Sequence, residues 1–187
     1  MKIVLLRHGK PDMPDLGKMT GSEFINWINL YNDACLESSS SPVADSVEIS
    51  KNCHSAVCST LARSVESAEK LGLSENVEIS PDFTEVGLPS FNVLNLKFSK
   101  DIWLFIFRVF WLIGYSPNSE SYLQAKYRAK KCSVKLIETA KENGSVVFVG
   151  HGILNKLISG ELRNRGWQGA AKPKNRYWQF SIYEKET

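Results

Sequence analysis

The sequence predicts an α/β domain. Two short apolar runs, Lys2-Ile3-Val4-Leu5-Leu6 and Val146-Val147-Phe148-Val149, read as buried strands. Segments with helical periodicity alternate with such runs, the pattern of a largely parallel sheet covered by helices. Both runs end abruptly at a histidine beside glycine, in Arg7-His8-Gly9 and Gly150-His151-Gly152. In open α/β sheets ligands bind beyond the carboxyl ends of the strands, so both triplets are delivered to one prospective active-site edge.

Taken in order, strands are predicted at 2–7, 54–58, 146–150 and 177–183, and helices at 21–37, 60–71, 119–142 and 152–165. After the first strand, Gly9 permits a sharp turn and a close ligand approach. Ser38-Ser39-Ser40-Ser41-Pro42 reads as a short loop. Ala56-Val57-Cys58-Ser59 leads through Thr60-Leu61-Ala62 to Arg63, with Gly72 as the helix stop. Arg63 then lies in a first helical turn, a poor place for a cation unless an anion is held there. Phe83-Thr84-Glu85-Val86 sets a carboxylate just before the Gly87-Leu88-Pro89 break. Residues 102–113 are apolar all round apart from Arg108; the run is too short for a bilayer, which takes about 20 residues, and reads first as a fully buried helix. His151 precedes the pattern Ile153-Leu154-x-x-Leu157-Ile158, a helix whose N-terminal N–H groups favour anions. Arg176 to Tyr183 alternates in part and reads as an edge strand. There is no internal repeat.

These residue types point to anion chemistry. A guanidinium beside an imidazole can bind an anion while the ring attacks it or moves its protons. The four pieces, Arg7-His8-Gly9, Ser59-x-x-x-Arg63, Thr84-Glu85 before glycine, and Gly150-His151-Gly152, resemble in kind and order the histidine phosphatase (phosphoglycerate mutase-like) superfamily. The resemblance implies a three-layer sandwich with a mostly parallel central sheet, helices on both faces and a helical cap over the active site. It implies one domain over 1–187 with a cap insertion around 86–120. It also implies that His8 takes the phosphoryl group as phosphohistidine. Arg7, Arg63 and His151 would clamp the phosphate oxygens, and Glu85 would protonate the leaving oxygen and then activate water. His151 thus counts both as catalytic and as phosphate-binding. No metal and no cofactor are implied, because two arginines can supply the charge stabilisation that phosphoryl transfer needs. Glu48, Glu66, Glu69, Glu75, Glu78 and Asp82 remain alternatives to Glu85 as the acid.

Composition agrees with a single enzyme domain. A chain of 187 residues with 43% hydrophobic content can fill one core. A net charge of +3 suits an anionic substrate but gives no dense basic stripe for nucleic acid. Lys126, Arg128, Lys130 and Lys131 read as a solvated helix face. Cys35, Cys53, Cys58 and Cys132 read as thiols of a reducing compartment, and Cys53-His54-x-x-x-Cys58 fits no standard zinc spacing. The N-terminus has no signal-peptide pattern, so a cytoplasmic location is expected.

The expected partner is a small phosphorylated metabolite, with an apolar leaving group if the 102–113 segment caps the site. The same segment could instead form a homodimer contact through Trp103, Phe107 and Trp111; membrane contact is the weaker alternative. Lys10-Pro11-Asp12 departs from the acid and hydroxyl residues that many family members carry after the first glycine. Ser119-Glu120-Ser121 after Gly114 resembles the Gly-Glu-Ser region before a long helix in cobalamin-pathway and broad-specificity phosphomonoesterases. A mutase must hold its intermediate whereas a phosphatase need only admit water, and the chain is shorter than typical mutases. A metal-independent phosphatase is therefore favoured over a mutase or a non-catalytic phosphate-binding module.

Overall fold

The computed structural model describes residues 1–75, 77–91 and 96–186. In chain order the elements are β1 (Lys2–Arg7), β2 (Lys18–Met19), α1 (Gly21–Asp33), α2 (Ala44–Lys51), β3 (Ser55–Ser59), α3 (Ala62–Lys70), β4 (Val77–Ser80), a 3-10 turn (Pro81–Phe83), β5 (Phe98–Ser99), α4 (Lys100–Leu112), α5 (Tyr122–Asn143), β6 (Ser145–Gly150), α6 (Gly152–Asn164), β7 (Gln168–Gly169) and β8 (Phe180–Glu184). The main sheet runs β4-β3-β6-β1-β8-β7. Its first four strands are parallel, and β8 and β7 add antiparallel.

Alternation along the central strands builds the layers. Ile3, Leu5, Val57, Val146 and Phe148 point to one face and pack on Ala129, Leu136 and Ala140 of α5 and Leu154, Ile158 and Leu162 of α6. Val4, Leu6, Ala56, Cys58, Val147 and Val149 point to the other, where Ala68 of α3 and Leu36 cover them. Each large apolar side chain so buried contributes about 1.5–3 kcal/mol. Because both faces are covered, the strands read as continuous apolar runs. This is the expected α/β sandwich with a mostly parallel sheet.

A third cluster sets α1 against α4 through Met19, Phe24, Trp27, Trp103 and Phe107. The β2–β5 pair ties the starts of these two segments, and the Trp103 indole donates to the Met19 carbonyl at 2.7 Å. The layer outside the sandwich thus draws on residues 18–33 as well as on the segment expected at 86–120, of which 92–95 lie outside the described residues.

Several expectations are corrected. The helix expected to 37 ends at Asp33, because Ala34 turns extended and the Leu36 N–H goes to the Glu66 carboxylate at 2.7 Å. The last strand begins at Phe180 and is not an edge, since β7 lies outside it. Residues 102–113 do not form a fully buried helix. Trp103, Phe107 and Trp111, four apart, are buried, while Ile102, Val109 and Leu112 are exposed and Phe105 is 69% exposed. Trp103, Phe107 and Trp111, the residues expected at a dimer contact, are thus packed inside the chain. Unpredicted were α2, β4 and the two-residue strands: α2 is rich in polar residues, β4 exposes Glu78, and two residues carry no periodicity. Among the described residues no helix is long and apolar enough to cross a membrane.

Candidate active site

Parallel pairing of β1 with β6 places Arg7 opposite Gly150, so the histidines that follow each strand are neighbours. The His8 N–H donates to the Gly150 carbonyl at 3.0 Å, and the two imidazoles stand 5.0 Å apart. Gly9 is required by packing rather than by a turn. A Cβ there would lie 2.3 Å from the Trp178 ring.

His8 Nδ1 lies 2.6 Å from the Gly9 carbonyl oxygen. That acceptor assigns the ring hydrogen to Nδ1 and leaves the lone pair on Nε2. Burial first, then the Arg63 charge and, more weakly, that of Arg7 pull the His8 pKa down to about 3 against the opposing hydrogen bond to the Gly9 carbonyl. The ring is therefore neutral, as a nucleophile must be.

His151 is the N-cap residue of α6 and fully buried. Its Nε2 lies 2.7 Å from the Ser59 hydroxyl at the end of β3, which already accepts the Leu61 N–H at 3.3 Å. With no other acceptor for its hydrogen among the described residues, the Ser59 hydroxyl donates to Nε2, which leaves His151 Nδ1 as an N–H donor with no partner among the described residues. Burial, the neighbouring His8 and the arginines hold the His151 pKa well below its ordinary value.

Arg63 occupies the first turn of α3, as expected, and is buried. One guanidinium nitrogen donates to the Tyr31 and Asn32 carbonyls at 2.6 and 3.2 Å, and the guanidinium lies 4.5 Å from the Tyr31 ring centre. Arg7 donates to the Asn175 carbonyl and, at 3.3 Å, to its side-chain oxygen, and lies 4.6 Å from the Tyr177 ring centre. Each arginine thus rests on a tyrosine. Arg7 Nε, Arg63 Nε and Arg63 Nη2 are buried without hydrogen-bond partners among the described residues.

Hydroxyls of α3 fix this edge. Ser64 accepts the Ser59 N–H at 3.1 Å and donates to the Val149 carbonyl at 2.6 Å, while Ser67 accepts the Gly9 N–H at 2.9 Å. Glu85 joins from the segment after the 3-10 turn. Its carboxylate accepts from Ile153 and Leu154 N–H of the first α6 turn at 3.2 and 3.0 Å, and from Val86 N–H at 2.9 Å. Arg128 holds that segment through the Asp82 and Thr84 carbonyls (2.6 and 2.9 Å) while paired with Glu120. It is not part of a solvated face, as its neighbours in sequence implied.

The structure thus brings Arg7, His8, Arg63, Glu85 and His151 to one edge. Sequence reasoning missed the roles of Tyr31, Asn175, Tyr177, Arg128 and the serines. The spacing Arg63-Ser64-x-x-Ser67 carried a signal for the serines, two hydroxyls on one helix side; the tyrosines had none, because both come from distant segments. The Cys53-His54-Cys58 stretch disperses: His54 bonds the Ser145 hydroxyl at 2.9 Å, and Cys58 is in the sheet core. No cluster of three metal-ligating side chains occurs among the described residues.

The family model of the histidine phosphatase superfamily (branch 1) matches residues 40–186. The match includes Arg63, Glu85 and His151, and the structure adds Arg7 and His8 to them. No curated protein matches the sequence. Among solved structures, a protein from an open reading frame of Mycobacterium tuberculosis is similar with TM-score 0.65 and 19% identity, over 99% of this chain and 91% of that one. A mycobacterial glucosyl-3-phosphoglycerate phosphatase gives TM-score 0.57 and 22% identity over 86% of this chain and 78% of that one. A phosphoserine phosphatase from Entamoeba histolytica gives TM-score 0.57 and 18% identity over 98% and 95%. With the fold, the edge and the family match in agreement, the chain belongs to branch 1 of the histidine phosphatase superfamily and is a phosphoric monoester hydrolase.

Proposed function

We propose that the protein hydrolyses a small phosphorylated metabolite in two steps through a phosphohistidine on His8. The observation that carries this reading is a set of partnerless buried donors on Arg7, Arg63 and His151 around a neutral imidazole whose Nε2 holds a lone pair. Buried donors are almost always satisfied, so a set of orphans at one edge describes the ligand they are built for: a tetrahedral oxyanion. The Nε2 lone pair attacks phosphorus and the ester P–O bond breaks, with Glu85 giving a proton to the leaving oxygen. Water then attacks phosphorus as Glu85 takes its proton, the P–N bond breaks with its electron pair returning to His8 Nε2, and inorganic phosphate leaves. Arg7, Arg63 and the His151 Nδ1–H hold the oxygens throughout, supplying the charge without a metal ion.

Glu85 is supported over the other acids by its place on the first turn of α6, which His151 caps. The solved glucosyl-3-phosphoglycerate and phosphoserine phosphatases of this fold support a phosphorylated metabolite as substrate. Four free cysteines support the cytoplasm as its location.

The test is hydrolysis of p-nitrophenyl phosphate in excess EDTA. Wild type turns over and His8→Ala does not. Activity surviving in His8→Ala, or lost to EDTA in wild type, overturns the reading.

A further inference from the structure

We propose that Arg108 reads a second anionic group on the leaving-group side of the substrate, a carboxylate or a further phosphate; the inference rests on the phosphomonoesterase reading above. Arg108 is the one charged residue between Ile102 and Ile113. It lies half-buried on α4 with its guanidinium 4.7 Å from the Trp111 ring centre. Its Nη1 is buried and has no hydrogen-bond partner among the described residues. The neighbouring Arg128 shows what a satisfied arginine looks like here: it holds both Glu120 oxygens and the Asp82 and Thr84 carbonyls. Glu120 is thereby committed and leaves Arg108 without a carboxylate of its own.

Position ties Arg108 to the leaving-group side. The Trp111 indole under it donates to the Glu120 carbonyl at 2.8 Å, and Arg128 carries the connection to Thr84, the residue before Glu85. Burial lowers the Arg108 pKa, and the Glu85 and Glu120 charges oppose it, so the field of the proposed proton donor reaches this guanidinium. Arg7, at the end of β1, and Arg63, in the first turn of α3, already answer the charge of the transferred phosphoryl group. A buried guanidinium nitrogen without a partner is costly, and a bound anion relieves that cost. The buried apolar side chains of α4 do not compete for this role. Trp103 and Phe107 pack on α1, and Trp111 joins the main core. An anionic leaving group therefore replaces the apolar one expected from the composition of the segment.

Matched esters test this. Wild type, Arg108→Gln and Arg108→Lys are assayed with O-phosphoserine against phosphoethanolamine, 3-phosphoglycerate against glycerol 3-phosphate, and fructose 1,6-bisphosphate against fructose 6-phosphate. The readout is the ratio of kcat/KM within each pair. Wild type is expected to favour the extra anion by about tenfold or more in at least one pair, chiefly through KM, the scale of a charged hydrogen bond. The carboxylate and bisphosphate pairs identify which anion is read. Arg108→Gln brings that ratio close to one, and Arg108→Lys retains part of it. Turnover by wild type with no preference in any pair, or a preference that survives in folded Arg108→Gln, overturns the inference and leaves the phosphatase reading standing. A folded wild type that hydrolyses none of the esters or p-nitrophenyl phosphate removes both.

Discussion

At the residue scale, the proposed chemistry depends on keeping His8 uncharged beside two arginines. Burial and those two cations act in the same direction, so the ring resists protonation down to about pH 3. The imidazole resonances of His8 and His151 in the free protein are expected to hold their neutral positions from pH 8 to pH 5. A titration step near 6.5 at His8 would show that neither burial nor the arginines govern the ring. The arginines in turn act as planar forks on tyrosine faces, which a lysine ammonium cannot imitate. Arg63→Lys is expected to lower kcat/KM by about 10²–10³, the scale of losing one preorganised donor to a developing charge. An effect under threefold would place Arg63 outside the phosphate clamp.

At the element scale, the strand ends are held together by packing that tolerates no side chain at residue 9. Gly9→Ala drives a methyl group into the Trp178 ring. Trp178 cannot readily retreat: its backbone is left-handed (φ 63), its N–H donates to the Arg7 carbonyl at 3.0 Å, and its carbonyl accepts the Ser46 hydroxyl. The variant is expected to lose about 1–3 kcal/mol in urea unfolding along with most of its activity, the usual scale of overpacking. Unchanged stability would mean that the ring moves freely. The central strands were legible in the sequence because both faces are buried, giving the unbroken apolar runs at 3–6 and 146–149. Helices α5 and α6 were legible from their period. Legibility failed where structure depends on distant partners. The serine-rich stretch 38–41 read as a loop and is one, yet the Ser40 hydroxyl accepts from Lys10 N–H and the Trp178 indole at 2.8 and 3.0 Å. Arg63 and His151 could be named from local motifs; Tyr31 and Arg128 could not, because their roles arise from α1 and α5 folding back on the sheet edge.

At the scale of the whole molecule, the site taxes stability through pH. His8 and His151 fold with pKa values below the ordinary 6.5. Above 6.5 neither the folded nor the unfolded chain binds a proton at these rings, and stability is undiminished. Below it the unfolded chain takes up protons that the folded one refuses, and for His8 this continues down to about 3. Stability therefore falls with pH, by up to about 1.4 kcal/mol per pH unit for each histidine. The urea midpoint is expected to drop between pH 7 and pH 5, and His8→Asn should flatten that slope. A wild-type midpoint constant across this interval would contradict the burial of both rings in neutral form.

The contact between Trp178 and Gly9 also equips the enzyme with an optical reporter. An indole wedged one residue from His8, the proposed nucleophile, would experience the dianionic charge that a phosphohistidine brings there. Trp27, Trp103, Trp111 and Trp167 lie in other parts of the core. Stopped-flow emission, with Trp178→Phe as the dark control, would time formation and decay of the intermediate without any added label.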